Sequence, residues 1–88
     1  STFSLKESIY KAIDQYPLRY DQKNLISIRN LIDGFIIGDE KILIHVLHNL
    51  IKNALQAIQA GDKGKIFIWS EIKEGRMLLF FEDTATGI

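Results

Sequence analysis

Two asparagines, Asn49 and Asn53, stand one helical turn apart in the apolar-patterned run from Asp39 to Ala60. Asparagine inside a helix costs roughly 0.5–0.7 kcal/mol relative to alanine. Two of them at this spacing therefore suggest polar groups directed at something outside the helix. The structural alternatives are that both side chains are solvated or that they bond a neighbouring loop.

A second candidate group is the carboxylate of Asp83, which is followed by small residues and Gly87. Asp83 has the strand parity of Met77, Leu79 and Phe81, so it ends a core-facing row if that side packs on helices. A buried carboxylate needs a donor, which either the protein or a ligand supplies. A glycine after small residues is typical of a turn that lets a flat ligand approach the backbone. An ordinary strand-ending turn is the alternative, and the combination with the asparagines is what indicates a site.

The asparagines belong to a long amphipathic helix predicted from Asp39, its N-cap, to Ala60, with Gly61 as the stop. With about 100° of rotation per residue, one face of this helix is apolar and the opposite face is polar. The predicted apolar face contains Leu43, Leu47, Leu50, Ile51, Ala54 and Ile58. The predicted polar face contains Lys41, His45, His48, Lys52, Gln56 and Gln59. Asn49 and Asn53 fall on the seam between the two faces, beside Ile42, Val46 and Ala57.

The remaining pattern predicts an α+β fold, a two-layer α/β sandwich with helices on one face of a mixed sheet. A capping box from Ser4 to Glu7 begins a first helix that ends before Pro17. Short strands are predicted at Leu25–Ile28 and Phe35–Ile37, longer ones at Lys65–Ile72 and Arg76–Asp83, and a hairpin turn at residues 73–75. The segment from Tyr20 to Asn24 is predicted to be a loop.

Composition restricts the class of protein. The chain has 88 residues, 47% of them hydrophobic, and eleven charged residues of each sign. Such a chain makes one small soluble domain, and its balanced charge argues against a nucleic-acid groove. It contains no cysteine, which excludes disulfides and thiolate metal sites. No apolar run approaches the roughly 20 residues that span a bilayer.

Two segments resemble motifs of the ATP-binding catalytic domain of sensor histidine kinases. The run His45-Val-Leu-His-Asn-Leu-Ile-Lys-Asn-Ala-Leu-Gln-Ala-Ile58 resembles the N box. The run Asp83-Thr-Ala-Thr-Gly-Ile88 resembles the G1 box, and the two occur in the family's order with a hairpin between them. The resemblance implies the Bergerat fold of the GHKL superfamily, which also contains gyrase and MutL, over most of residues 1–88.

The resemblance also implies roles for individual residues. Asn53 matches the asparagine whose side-chain oxygen binds Mg²⁺ between the phosphates of ATP, and Asn49 supports the phosphate end of the site. Asp83 matches the aspartate that accepts a hydrogen bond from the exocyclic amine of adenine. Gly87 keeps the backbone close to the base. Lys52 and Ala57 are further candidates for nucleotide contact, and no residue is expected to act as a catalytic group.

Four departures from the family pattern leave other functions open. Ala85 stands where the first glycine of the G1 box is expected, and Gln56 stands where many relatives have lysine. The resemblance places the lid, the second glycine-rich loop and the closing strand beyond Ile88. Neither His45 nor His48 is a phosphoacceptor candidate. A GHKL-type ATPase is one alternative, although its glutamate base is replaced here by Asn49, and a non-catalytic interaction domain is another.

The intact parent implied by the resemblance is a cytoplasmic kinase of two-component signal transduction, free or attached to a membrane-anchored sensor. Its partners are ATP, a dimerisation and histidine-phosphotransfer domain of the same protein, and the receiver domain of a response regulator. Nucleic acid is not expected as a partner, and the parent is expected to be a homodimer. Residues 1–88 alone are expected neither to phosphorylate nor to bind ATP tightly, and the last strand is expected to present an open edge.

Overall fold

The computed structural model describes residues 1–84, which form two α-helices, one 3₁₀ helix and five strands. In chain order these are β1 (Thr2–Ser4), α1 (Leu5–Gln15), the 3₁₀ helix (Tyr20–Leu25), β2 (Ile26–Ile28), β3 (Phe35–Ile37), α2 (Glu40–Gly61), β4 (Ile66–Lys73) and β5 (Arg76–Asp83). The predicted α+β class is confirmed. The segment from Tyr20 to Asn24, which was predicted to be a loop, is instead a short 3₁₀ helix, and this helix also includes Leu25, which was predicted to begin a strand.

Both helices begin at the caps that the sequence predicts. The Ser4 hydroxyl accepts a hydrogen bond from the Glu7 backbone N–H at 3.1 Å. The Asp39 carboxylate accepts from the Lys41 backbone N–H at 2.9 Å. These side chains satisfy donors that the first helical turn leaves without partners. Helix α2 ends in a left-handed residue, Asp62, directly after Gly61.

The strands form two sheets within residues 1–84. Strands β1 and β3 pair antiparallel, and the second sheet has the order β2-β4-β5, with β2 parallel and β5 antiparallel to β4. Glu74 and Gly75 form the two-residue turn of the β4–β5 hairpin, and both have positive φ. A turn with these angles matches the twist of the two strands. The antiparallel register places Ile66 opposite Asp83, so both residues belong to the same face of the sheet.

The core lies between this face of the sheet and the two helices. Its centre contains Leu5, Ile9, Ala12, Leu47, Ile51, Ala54, Leu55, Ile58, Ile66 and Ile68. As the strand parity predicts, Met77, Leu79 and Phe81 of β5 pack against this centre. Phe67 and Trp69 lie on the opposite face, where Trp69 stacks on Phe80 with 5.1 Å between ring centroids.

Two predicted positions are corrected by the structure, and one apolar strand residue is exposed. Leu50 was expected in the core but is 38% exposed, whereas Leu55 is buried. His48 was expected on the polar face but is half-buried against α1. Ile72 shares the parity of Ile66 and Ile68 but is 56% exposed, because it lies beside the hairpin turn at the end of the sheet.

Candidate functional site

Helix α2 has two different flanks because α1 covers only one of them. On the covered flank, His48 Nε2 lies 2.8 Å from the carbonyl oxygen of Ala12, and its ring meets Tyr16 edge-on at 5.4 Å. Asn53 is five residues further along α2, which turns it about 140° away from His48. The asparagine flank therefore faces away from α1.

Asn49 and Asn53 are both exposed on this flank. Within residues 1–84, neither side chain makes a hydrogen bond or an ion pair. The alternative in which they bond a neighbouring loop is therefore not realised in the part of the chain that is described. Their amide groups are available to an external ligand or to water.

The two other helix candidates differ in position. Ala57 follows Asn53 by one turn, about 40° around the helix, and is half-buried on the same flank. Lys52 is exposed but lies about 100° from Asn53, on the side of α2 that points to solvent. The structure therefore groups Asn49, Asn53 and Ala57, and it separates Lys52 from them.

Asp83 ends β5 on the helix-facing side of the sheet and is half-buried. The strand end is fixed by the next residue, because Thr84 donates its backbone N–H to the Lys65 carbonyl at 2.9 Å and accepts from the Lys65 N–H at its hydroxyl, at 2.8 Å. The end of β5 that carries Asp83 therefore lies next to Lys65, the last residue of the loop that joins α2 to β4. Asp83 is not without a partner in this structure. Gly87, the remaining predicted contact, lies outside the described residues, as does Ala85.

An apolar hollow extends the asparagine flank towards the start of α2. It has a volume of about 290 Å³ and is lined by Phe3, Ile36, Gly38, Asp39, Ile42, Leu43 and Val46. Ile42 and Val46 lie within about 20° of Asn53 around the helix axis. Asn53 and Asp83 do not line this hollow. Ile42 and Val46 were predicted to lie beside the asparagines, but the hollow was not predicted, because residues of β1 and β3 complete its lining.

The carboxylates with shifted pKa values are structural and lie away from this flank. The backbone N–H of Lys6, the Ser4 hydroxyl and the backbone N–H of Gly34 lower the pKa of Asp33. The Ser8 hydroxyl, 2.6 Å from a carboxylate oxygen, and then the Lys11 ammonium lower the pKa of Glu40. Asp33 therefore holds the start of α1, and Glu40 joins α1 to α2.

Metal binding by the protein alone has little support in the described residues. Residues 1–84 contain no group of three or more histidine, aspartate or glutamate side chains that could hold a metal ion. Asn53 offers one neutral oxygen, which suits Mg²⁺ only when phosphates and water supply the other ligands. The Asn53 amide is exposed and has no partner among the described residues 1–84.

No helix in residues 1–84 is long and apolar enough to cross a membrane. No protein-family model, curated protein or solved structure matched the chain.

Proposed function

We propose that residues 1–88 are the first part of an ATP-binding catalytic domain of a sensor histidine kinase. One observation carries the proposal. The asparagines of the motif that resembles the N box lie on the flank of α2 that α1 leaves uncovered, and their amides have no partner among residues 1–84. Asp83, in the motif that resembles the G1 box, ends β5 on the side of the sheet that faces the helices.

Each proposed contact has a chemical reason. The Asn53 oxygen would be a ligand of Mg²⁺, which neutralises the charge of the phosphates when it is bound. Asn49 would donate its amide N–H to a phosphate oxygen. Asp83 would accept from the exocyclic amine of adenine, and it would disfavour guanine, which has a carbonyl at that position. Gly87 would allow close approach of the backbone to the base.

The proposed reaction is transfer of a phosphoryl group rather than hydrolysis. Hydrolysis needs a general base close to the attacking water. The carboxylates of α2 and its caps are Asp39, Glu40 and Asp62, all at the helix ends. Glu40 is engaged by Ser8 and Lys11 on the side that faces α1. Because no carboxylate lies one turn from Asn53 on α2, we propose that the asparagine flank positions ATP for transfer to an acceptor on another domain, and not for hydrolysis.

The parent protein is proposed to be a cytoplasmic kinase of two-component signal transduction, whether or not a membrane anchor is attached to it. The acceptor histidine would belong to a dimerisation domain of the same protein, and the phosphoryl group would pass from there to a response regulator. The parent is proposed to be a homodimer through that domain.

Nuclear magnetic resonance of the ¹⁵N-labelled chain tests the nucleotide site, because the side-chain amides of Asn49 and Asn53 give their own signals. Titration with Mg·ATP should shift these signals and those of Ala57, with weak affinity, a Kd on the order of 1 mM. Asn53→Ala should remove the Mg²⁺ dependence. Asn24→Ala, an exposed asparagine in the 3₁₀ helix, is the matched control.

Asp83→Ala should reduce the preference for ATP over GTP, provided that the dispersion of the spectrum shows an intact fold. An absence of shifts on the asparagine flank at about 10 mM Mg·ATP, far above the expected Kd, would contradict the proposal. So would shifts that Asn53→Ala leaves unchanged. A micromolar Kd would contradict only the expectation that residues 1–88 bind ATP weakly.

A further inference from the structure

A groove between α1 and α2 lies on the flank of α2 that carries His48. It has a volume of about 400 Å³. His48 lies about 140° from Asn53 around the helix axis, so the groove is separate from the asparagine flank. The polar side chains that line the groove are Lys11, Gln15, Glu40, Lys41, His45 and His48. Four of these six carry a positive charge or gain one on protonation, and one is acidic.

The acidic side chain of the groove is already occupied by donors of the protein. Glu40 accepts from the Ser8 hydroxyl at 2.6 Å and from the Lys11 ammonium at 3.0 Å. Lys41 and the two histidines make no ion pair within residues 1–84. Asp14 of α1 is exposed and does not line the groove. The groove therefore has a positive charge that no carboxylate in its lining balances.

Protonation of His48 is compatible with the way its ring is packed. Nε2 lies 2.8 Å from the Ala12 carbonyl oxygen, which can only accept, so the proton of the neutral ring is on Nε2. A second proton would bind Nδ1 and leave the bond to Ala12 in place. The titratable side chains that line the groove beside the two imidazoles, or adjoin it, are Lys11, Tyr16, Glu40, Lys41 and Lys52. An anion in the groove would therefore favour the charged form of both imidazoles.

We propose that the groove binds the phosphate group of a small molecule, either free phosphate or a phosphate monoester. Lys41, His45 and protonated His48 would donate to the phosphate oxygens, and hydrogen bonds between charged partners are the stronger ones in proteins. The Lys11 ammonium has three donors, of which Glu40 takes one, so it can also donate to the anion. A tetrahedral anion directs oxygens towards both helices at once, whereas a carboxylate has two oxygens in one plane.

Titration of the ¹⁵N-labelled chain with sulfate measures the affinity, because sulfate has the shape of phosphate and stays doubly charged at every pH used here. Sulfate should shift the backbone amide signals of the groove residues, with a Kd on the order of 1 mM at about pH 6. At about pH 8, where imidazoles are neutral, the Kd should be about tenfold higher. Sodium chloride at matched ionic strength is the control for screening.

Two variants test whether binding takes place in the groove. Lys41→Gln and His45→Asn should each raise the Kd for sulfate at about pH 6 by about three- to fivefold, because each removes one positive charge from an exposed position. His45→Asn should also reduce the difference between the two pH values. Lys52→Gln removes the same charge from an exposed position of α2 outside the groove, so it is the matched control for Lys41→Gln.

Inorganic phosphate and phenyl phosphate, compared at about pH 8 where both are mainly doubly charged, distinguish the two sources of the phosphate group. Tighter binding of phenyl phosphate would assign the groove to monoesters, whose carbon part can pack on Ile44 in its lining. Equal or weaker binding would assign it to free phosphate. Shifts at about 20 mM sulfate that sodium chloride reproduces would overturn the proposal. So would equal Kd values at the two pH values, or a Kd that Lys52→Gln raises as much as Lys41→Gln does.

Discussion

His48 and His45 lie in neighbouring turns of α2, and replacing each by alanine should have different effects on stability. His48 is half-buried between the helices, with its Nε2 atom 2.8 Å from the Ala12 carbonyl oxygen. An oxygen acceptor at this distance requires that Nε2 carries the proton. His45 is exposed. We expect His48→Ala to destabilise the fold and His45→Ala to leave it nearly unchanged.

The magnitude follows from the two contacts that His48 makes. The hydrogen bond to Ala12 contributes about 0.5–1.5 kcal/mol. The edge-to-face contact with Tyr16 contributes about 0.5–1.5 kcal/mol. The Ala12 carbonyl also accepts the Tyr16 N–H at 3.1 Å, so it keeps one partner in the variant. Because both substitutions gain the same helix propensity from alanine, His48→Ala should be less stable than His45→Ala by about 1–3 kcal/mol.

Urea denaturation followed by circular dichroism gives this difference in the free energy of unfolding, provided that the m-values agree. In a chain of this size each kcal/mol corresponds to about 4–8 °C in Tm. His48→Phe keeps the ring and loses the donor, so it should recover about half of the loss. If the two alanine variants agree within about 0.5 kcal/mol, the spread expected of surface substitutions, the contact of His48 with α1 does not stabilise the fold.

Three further outcomes are expected. Ile51→Ala should lower the free energy of unfolding by about 2–5 kcal/mol, because Ile51 is fully buried. Leu50→Ala should lower it by less than about 1 kcal/mol, because Leu50 is partly exposed. Equal losses in urea denaturation would contradict the observed orientation of α2. Folding lowers the pKa values of Glu40 and Asp33 from their ordinary values of 4.5 and 3.8. The two ionised carboxylates therefore contribute fully to the stability of the fold above those values, and this stability is lost as the pH falls below them. In the double variant Glu40→Gln with Asp33→Asn, the urea midpoint should therefore fall less steeply as the pH is lowered. An unchanged pH dependence would exclude these two carboxylates as the cause of the loss of stability in acid. Glu74→Asn should raise Tm, with a gain of about 0.5–1 kcal/mol, because φ is 52° there and asparagine tolerates that angle better; a lower Tm would contradict the turn geometry.

The limits of both helices and the strand parities were predictable because they depend on local chemistry. Ser4 and Asp39 cap helices through their own side chains, and these signals need no tertiary information. Alternation along β5 likewise placed Met77, Leu79 and Phe81 on the core side.

The orientation of α2 could not be predicted in full, because it depends on where α1 packs. The centre of the apolar arc was predicted correctly through Leu47 and Ile51. Contact with α1 extends burial towards His48 and Leu55, and Leu50 on the other side stays partly exposed. A helical projection gives the width of an apolar face but not the direction of its second neighbour.

Of the candidate site, the shared flank of Asn49, Asn53 and Ala57 could be predicted from spacing alone. The lack of partners for the two asparagine amides within the described part of the chain could not be predicted, because it depends on the loops around α2. The apolar hollow beside Val46 was also beyond the sequence, since β1 and β3 supply part of its lining.

Strand β2 has a consequence for how the molecule opens. It has three residues and joins the sheet through parallel pairing with β4. In the sequence, β3 and α2 separate these two paired strands. The β4–β5 hairpin, by contrast, closes over a two-residue turn and forms without distant contacts. Amide hydrogen exchange should therefore be fastest, among the strands of this sheet, at β2, and the adjoining 3₁₀ helix should exchange together with it as one cooperative unit.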